Sequence, residues 1–469
     1  MRNELSPILL ISSRSHVWVL IFSLVCPFWL AGGGSAQERV YFGNLHSHSR
    51  YSDGTGTPRQ AFIYARDVAK VDFLALTEHN HLKAMGQDGI GIAANNALYN
   101  GGPSSLIKTS LSITQNGKFV ALYGQEFSVI KIGNHANVFE IPNVITASNG
   151  RFDELATFLE TNLDSAGEPA IMMFNHPKNT TTIQELEYGL DDFGGDQDVW
   201  LRTLGPHAAL MQMINGPGQS PGVNLKSARP AESAFRKFLA LGFRLAPTAD
   251  QDNHTRNWGN ATTARTAVIA NSLTRSSILD ALRKRHVYAT EDRNLSIIIK
   301  INGRLCGDIV SPVPAASEAS ITYSIVDPDE PDAQYEIQVW RGTVGGDRAK
   351  MVSAVNVSGG NGTIEDIALS GAPEFFYFKI IQSDTDSDED DQDDESWTAP
   401  VWFEQSSSFA SLNGGGVVDS YVASRRSKIY HVSEDCLDAQ RIKTSNRITG
   451  ADARKGRTLH DDCPRRNQN

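Results

Sequence analysis

The sequence predicts an α/β domain with a largely parallel sheet, either a barrel or an open sheet, followed by a small β-sandwich and a short C-terminal module. Three observations predict it. From Arg39 to Asn294 short apolar runs alternate with helical stretches. After Asn294 the helical periodicity stops, and strand-like runs broken by Gly, Pro, Asn and Asp take over. A Ser- and Gly-rich tract, Ser406–Gly416, then sets off a tail that carries Cys and His.

In the first region the buried strands expected are Arg39–Leu45, Asp72–Leu76, Phe119–Tyr123, Ala170–Phe174, Ala208–Ile214 and Phe243–Pro247. The intervening helices expected are Pro58–Lys70, Asp153–Leu163, Ala231–Leu241 and Ser276–Arg285. Thr57 suits an N-cap and Pro58 a first helical position, where its missing N–H costs nothing. The sandwich strands expected are Leu295–Ile301, Ala319–Val326, Tyr335–Arg341, Phe375–Ile381 and Val401–Phe403. Between the last two lies the acidic run Asp384–Glu395, which reads as a solvated, self-repelling insertion. Alternating Asp could also bind Ca²⁺, but the run lacks the Gly and the spacing of an EF-hand loop. The domains expected are therefore 37–294, 295–405 and 427–469, with a linker at 406–426.

The N-terminus reads differently. Arg2 and Arg14 precede an apolar stretch, Val17–Ala31, and small residues at Gly34 and Ala36 suit cleavage before Gln37. Residues 1–36 are thus expected to be a signal peptide that directs export, since a stretch of about 15 apolar residues falls short of a membrane span. The net charge of −11 argues against nucleic acid as a stable partner, and no membrane partner is expected after cleavage. Cleavage would leave Cys306, Cys436 and Cys463, too few for a disulfide scaffold. Cys436 and Cys463, with His431 and His460, could form a small zinc site, a disulfide, or neither.

Metal chemistry is announced by residues at strand ends. His46 and His48 follow the first strand, with Asp53 five residues on; His79 follows the second and Glu126 the third. His135 lies nine residues after Glu126, His176 ends another strand, and Asp252-x-His254 follows the last. In parallel α/β barrels the loops at the C-terminal strand ends converge on one rim, so positions 200 residues apart can face one point. Imidazole and carboxylate are the ligands of Zn²⁺, Mn²⁺ or Fe²⁺. Each residue alone is unremarkable, and Asp53-Gly54 alone is a turn signal. Nine at consecutive strand ends are not.

The order His-x-His, Asp, His, Glu, His, His, Asp-x-His, with Phe42–His48, Tyr51–Gly54 and Asp72–Asn80, resembles the PHP superfamily, named for polymerase and histidinol-phosphatase members. It is most similar to the branch with secreted phosphoesterases and carbamate-ester hydrolases, as is the tail of the second region, Trp397–Trp402. Glu78 departs from the pattern, which has Asp before that histidine. The resemblance implies a distorted seven-stranded (βα) barrel and two or three divalent ions. One would take His46, His48, Glu126 and Asp252; a second Glu126, His135 and His176; a third Asp53, His79 and His254. Asn80, Asn175 and Arg265 are candidates for residues acting around these ligands.

The chemistry expected is hydrolysis by a water that the metals acidify, with a phosphoester of a small molecule as the first substrate class. The alternative is a carbamate, carboxylic ester or amide at the same centre. A non-catalytic secreted binder is the third reading.

Overall fold

The structure, a computed structural model, describes residues 38–86, 89–127, 135–164, 166–177, 188–219, 230–383 and 393–405, with the backbone of four short strands beyond 421. The expected signal segment, most of the acidic run, the linker tract and the side chains of His431, Cys436, His460 and Cys463 lie outside the described residues. The four late strands, β20 (Val422–Ser424), β21 (Ile429–His431), β22 (Arg447–Thr449) and β23 (Thr458–Leu459), form a sheet of their own.

The first region is a curled mixed sheet with helices outside it. Its strands are β1 (Arg39–Asn44), β2 (Phe73–His79), β3 (Val120–Phe127), β4 (Ala136–Phe139), β5 (Ile171–Phe174), β6 (Ala208–Asn215), β7 (Ala246–Asp250), β8 (Arg265–Ala270) and β9 (Val287–Thr290). They run in the order β9-β8-β1-β2-β3-β4-β5-β6-β7. β1, β2 and β3 are mutually parallel, as are β5, β6 and β7, but β4 is antiparallel to both its neighbours and β8 to β1. The sheet is therefore mixed where the sequence predicted a largely parallel one.

Period-2 alternation sorts the side chains. Phe73 and Ala75, Val120 and Leu122, and Ile171 and Met173 fill the inside of the curl. Leu74, Leu76, Ala121 and Tyr123 point outward, against α1 (Pro58–Tyr64) and α2 (Leu106–Ile113). Met172 and Phe174 meet the layer of α3 (Phe152–Thr161), α4 (Gln197–Leu204) and α5 (Glu232–Leu241). α6 (Arg275–Lys284) lends Ile278 and Leu282 to the inside cluster, and so closes the floor of the curl. Thr57 caps α1 in a reciprocal box with Gln60, with Pro58 at the first position as expected. The helix expected over Pro58–Lys70 turns π-helical at Ala65–Ala69 and stops at Lys70, whose φ is +60°.

The free edge of β7 returns to β1 and β8 through side chains. Asp250 accepts from the Leu45 N–H at 2.5 Å and from Thr266 Oγ1 at 2.9 Å. Asn44 Oδ1 accepts from the Gln251 N–H at 2.9 Å, and the His48 N–H reaches the Asn253 carbonyl at 2.8 Å. This seam lines up the residues that follow β1 with those that follow β7.

Among the described residues no helix covers the outer faces of β1 and β8. Val40, Phe42, Ala267 and Ile269 pack instead on a two-sheet sandwich. One of its sheets holds β10 (Ser296–Ile301), β11 (Arg304–Leu305), β13 (Ser317–Val326) and β16 (Gly360–Leu369). The other holds β12 (Ile309–Val310), β14 (Gln334–Gly342), β15 (Lys350–Ser358), β17 (Glu374–Gln382), β18 (Asp394–Thr398) and β19 (Val401–Phe403). Because β18 pairs with β9, hydrogen bonding runs unbroken from the curl into this second sheet. Arg244 and Glu404 clamp the two regions with paired 2.6 Å bonds.

His207, just before β6, is buried, and desolvation pushes its pKa down to about 4. The folded value thus lies below the unfolded one near 6.5, so stability is full above about pH 6.5 and is lost as pH falls through about 4, by on the order of 3 kcal/mol. Thermal melts of wild type and His207→Leu from pH 7.5 to 4 should show the wild type losing Tm more steeply on acidification. Parallel curves would disprove the assignment.

Candidate metal centre

Strand parity aims the site. On β2 the inside positions Phe73, Ala75 and Thr77 lead to His79; on β3, Val120, Leu122 and Gly124 lead to Glu126. On β5, Ile171 and Met173 lead to Asn175, with His176 next in the chain. His135 arrives by a different route. It immediately precedes β4, and because β4 runs backwards its beginning lies beside the ends of β3 and β5.

All nine expected ligands meet at this rim. The tightest group is His46, His48, Glu126 and Asp252. His46 Nε2 lies 3.2 Å from His48 Nε2, 3.2 Å from Glu126 Oε2 and 3.3 Å from Asp252 Oδ1. His48 Nε2 lies 3.2 Å from each of the two carboxylate oxygens. Four ligands at about 2.0–2.1 Å from a tetrahedral ion stand about 3.3 Å from one another. Five edges of that tetrahedron are thus already in place.

Two further groups adjoin it. Around Glu126 Oε1 stand His135 Nδ1 at 2.8 Å and His176 Nε2 at 3.3 Å, while His79 Nδ1 lies 3.1 Å from Oε2. His79, Glu126 and His135 could hold an ion together. Beyond them Asp53 Oδ1 faces His254 Nε2 at 3.2 Å and His79 Nε2 at 3.7 Å. The His48 ring stacks on both the His79 and His254 rings, at centroid distances of 4.5 and 4.1 Å. Asp53 Oδ1 and His254 Nε2 are buried without a hydrogen-bond partner although they face each other, an arrangement that suits donors aimed at a shared ion.

The electrostatics are those of a cage built for cations. Burial would raise the pKa of Glu126, but His46, His79 and His135 outweigh it and hold the carboxyl well below the usual range. Asp252 is lowered in the same way against its burial, chiefly by His46 and His48, and Asp53 is brought down to about 2, against its own burial, by His254 and His79. His48 rises well above its ordinary value because hydrogen bonds to Asp252 and Glu126 overcome its desolvation. His79 falls to about 3, where burial dominates. The same carboxylates raise the pKa of His46 and His48 against their burial, so divalent ions bound here would compete with protons.

A surrounding layer fixes which nitrogen faces inward. His48 Nδ1 meets Ser52 Oγ at 3.2 Å, and Ser52 donates to Glu78 at 2.6 Å. Glu78, fully buried, also accepts from the Ser49 backbone N–H and from Ser49 Oγ at 2.5 Å. It therefore serves as the carboxylate behind His48. His46 Nδ1 faces Gln212 Oε1 at 3.4 Å, and His254 Nδ1 donates to the Asp252 carbonyl at 2.7 Å. Gly54 has no room for a Cβ, which would stand 2.7 Å from the His48 carbonyl carbon. This holds the Asp53 turn against the first pair of histidines.

Of the three candidates for surrounding roles, Asn175 is in place: its Nδ2 donates to Glu126 Oε1 and Asn137 Oδ1, each at 2.9 Å. Asn80 touches the ligand set through its backbone, its N–H lying 3.4 Å from the Glu126 carbonyl. Arg265 is directed elsewhere; its Nη1 donates to the Thr262 and Ala264 carbonyls at 2.8 Å. Sequence reading passed over Gln212, Asn137 and Ser52. The signal for Gln212 was a lone amide inside the apolar run Ala208–Ile214; Asn137 had none, because β4 itself was not foreseen.

No protein-family model and no curated protein matches the chain. Among solved structures it is similar to a protein of Bifidobacterium adolescentis described as a "putative metal-dependent phosphoesterase". The identity is 12% and the TM-score 0.26, over 46% of this chain and 88% of that one. A likeness so slight carries no weight here. What the geometry defines by itself is a buried set of His, Asp and Glu groups that could hold several metal ions.

Glu126 belongs to two of these groups and His254 to one. Elemental analysis after loading with Mn²⁺ or Zn²⁺ should therefore find that Glu126→Gln loses at least two ions per chain relative to wild type, and His254→Ala at most one. Equal losses would remove Glu126 from its shared position.

Proposed function

We propose that this chain is a metal-dependent hydrolase of the PHP type, acting on a phosphate mono- or diester of a small molecule. The observation that supports it is the near-tetrahedral set His46, His48, Glu126 and Asp252 with two more ligand groups, one sharing His48 with it and the other Glu126. When bound, divalent ions there supply Lewis acidity and acidify a water. Three of them would also turn the formal charge of the carboxylates Asp53, Glu126 and Asp252 from about −3 to about +3, which suits an anionic substrate. The chain's own part is to hold this set rigid. Glu126 and Asp252 supply the charge, while Ser52, Glu78 and Gln212 keep the Nε2 atoms of His48 and His46 turned inward. Asn175 orients the Glu126 carboxylate, and His135 and His176 line its outer side. The reading includes export, with no nucleic acid or membrane as a stable partner.

A second reading, hydrolysis of a carbamate, carboxylic ester or amide at the same centre, is favoured by Arg265. The one arginine expected near the ligands is committed to two backbone carbonyls and supplies no phosphate clamp.

Release of p-nitrophenol from phosphate mono- and diesters, with Mn²⁺, Zn²⁺ or Fe²⁺ added, decides between them. Metal-dependent turnover should fall at least about 100-fold in His48→Ala, since loss of a ligand should exceed the 10–100-fold typical of losing an outer partner. Turnover of aryl carbamates with none on phosphoesters would transfer the assignment to the second reading. Inactivity on both panels would remove the catalytic claim.

A further inference from the structure

The end of β6 slips out of register beside the metal centre. Leu210 belongs to the inside of the curl, and Met211 and Met213 to the outward layer, so a regular strand would put Gln212 and Ile214 inside and Asn215 outside. Instead the pairing with β7 shifts between Gln212 and Ile214, leaving Met213 as an extra residue. Ile214 joins Met211 and Met213 in the outward layer. Asn215 comes round to the side of Gln212, whose Nε2 lies 2.8 Å from Asn215 Oδ1. Bulges are over-represented beside active sites, where they re-aim a side chain in this way.

Gln212 is 1% exposed, and the backbone sets the direction of its hydrogen bonds. The His176 N–H can only donate, and it lies 2.8 Å from Gln212 Oε1. That fixes which end of the amide is the oxygen, although the two ends are alike in shape. His46 Nδ1, 3.4 Å from the same oxygen, must then carry a proton to bond it. The lone pair falls on His46 Nε2, the atom that faces Glu126 and Asp252. The nitrogen end of Gln212 donates to Asn215 Oδ1, so Asn215 presents its own Nδ2 to Asp252 Oδ2 at 3.4 Å. Asp252 Oδ1 is left to face His46 and His48, at 3.3 and 3.2 Å.

We infer that Gln212 is a positioning residue shared by two of the ion groups. Its oxygen holds both the ring of His46, in the first group, and the backbone of His176, beside Glu126 and His135. Through Asn215 its nitrogen orients Asp252. His176 is in left-handed backbone, at φ +30°, a conformation that needs such a bond to hold it. This role presupposes that the rim binds metal, and adds that one uncharged side chain links the filling of two groups.

The test is ion binding by the full chain and needs no turnover. Chelator-treated protein is titrated with Mn²⁺ by calorimetry, with free Mn²⁺ counted by EPR. Wild type should take up at least two ions. Gln212→Met, which keeps the bulk and loses both polar ends, should weaken at least two of them by roughly 10- to 100-fold. Asn215→Ala should weaken only one. So should Gln212→Glu, which keeps the acceptor for His46 and His176 but draws the Asn215 N–H away from Asp252. A side chain that merely supported the fold would lower the Tm of ion-free Gln212→Met and leave affinities measured well below that Tm unchanged. That result would overturn the inference, as would Gln212→Met weakening no more ions than Asn215→Ala. If Gln212→Met does not fold, the other two variants carry the test: each should weaken a single ion, and two or none in either would overturn it. Wild type binding fewer than two ions would instead overturn the metal centre itself, and this role with it.

Discussion

The carboxylate of Glu126 is 1% exposed and yet is held ionised, and a buried charge is stable only among groups that answer it. Five imidazoles do so, those of His46, His48, His79, His135 and His176, each within 3.3 Å of one of its two oxygens. The rest of the rim depends on this arrangement. Parity along β3 fixes the carboxylate inward, and the neighbours must then deliver nitrogen atoms to the same depth. Parallel β1, β2 and β5 do this with their C-terminal ends. The reversed β4 does it with its beginning.

Holding so many like groups together works against the chain's own stability, and the structure opposes that with bonds that leave little freedom. Glu78 gathers Ser49 and Ser52 behind His48, Asn175 spans Glu126 and Asn137, and the β7 seam fixes Asp252 beside the His46 loop. Two of the ligand candidates also sit in left-handed backbone, His176 at φ +30° and Asp252 at φ +48°. Non-glycine residues keep such conformations only where their surroundings over-determine them, and these cluster at functional sites.

Most of this was legible in the sequence, for reasons that differ from part to part. β1, β2, β3, β5 and β6 were visible as buried runs, since strands covered on both faces are continuously apolar. The ligands were visible because polar residues at the ends of such runs have few structural reasons to be His, Asp and Glu together. β4 was invisible: four residues are too few for periodicity, and its reversal comes from pairing between strands. β8 and β9 escaped for a similar reason, their outer faces being covered by the sandwich where a barrel would carry a helix. The strand expected at Phe243–Pro247 begins at Ala246, because pairing with β6 sets its start. β15 escaped because most of it is exposed, with only Val355 and Val357 packing on the sandwich core. Arg265 was placed by proximity in the chain, and its guanidinium turned to the Thr262 and Ala264 carbonyls. Chain position locates a backbone; hydrogen-bond demand decides where a long side chain goes.

The most direct test of Glu126 as the shared centre is anomalous diffraction at the Mn or Zn edge from crystals of the loaded protein. Two or more peaks should flank the Glu126 carboxylate, about 3.5–4 Å apart, one of them inside the His46, His48 and Asp252 group. A single peak distant from Glu126, or no peak at full metal saturation, would contradict the account.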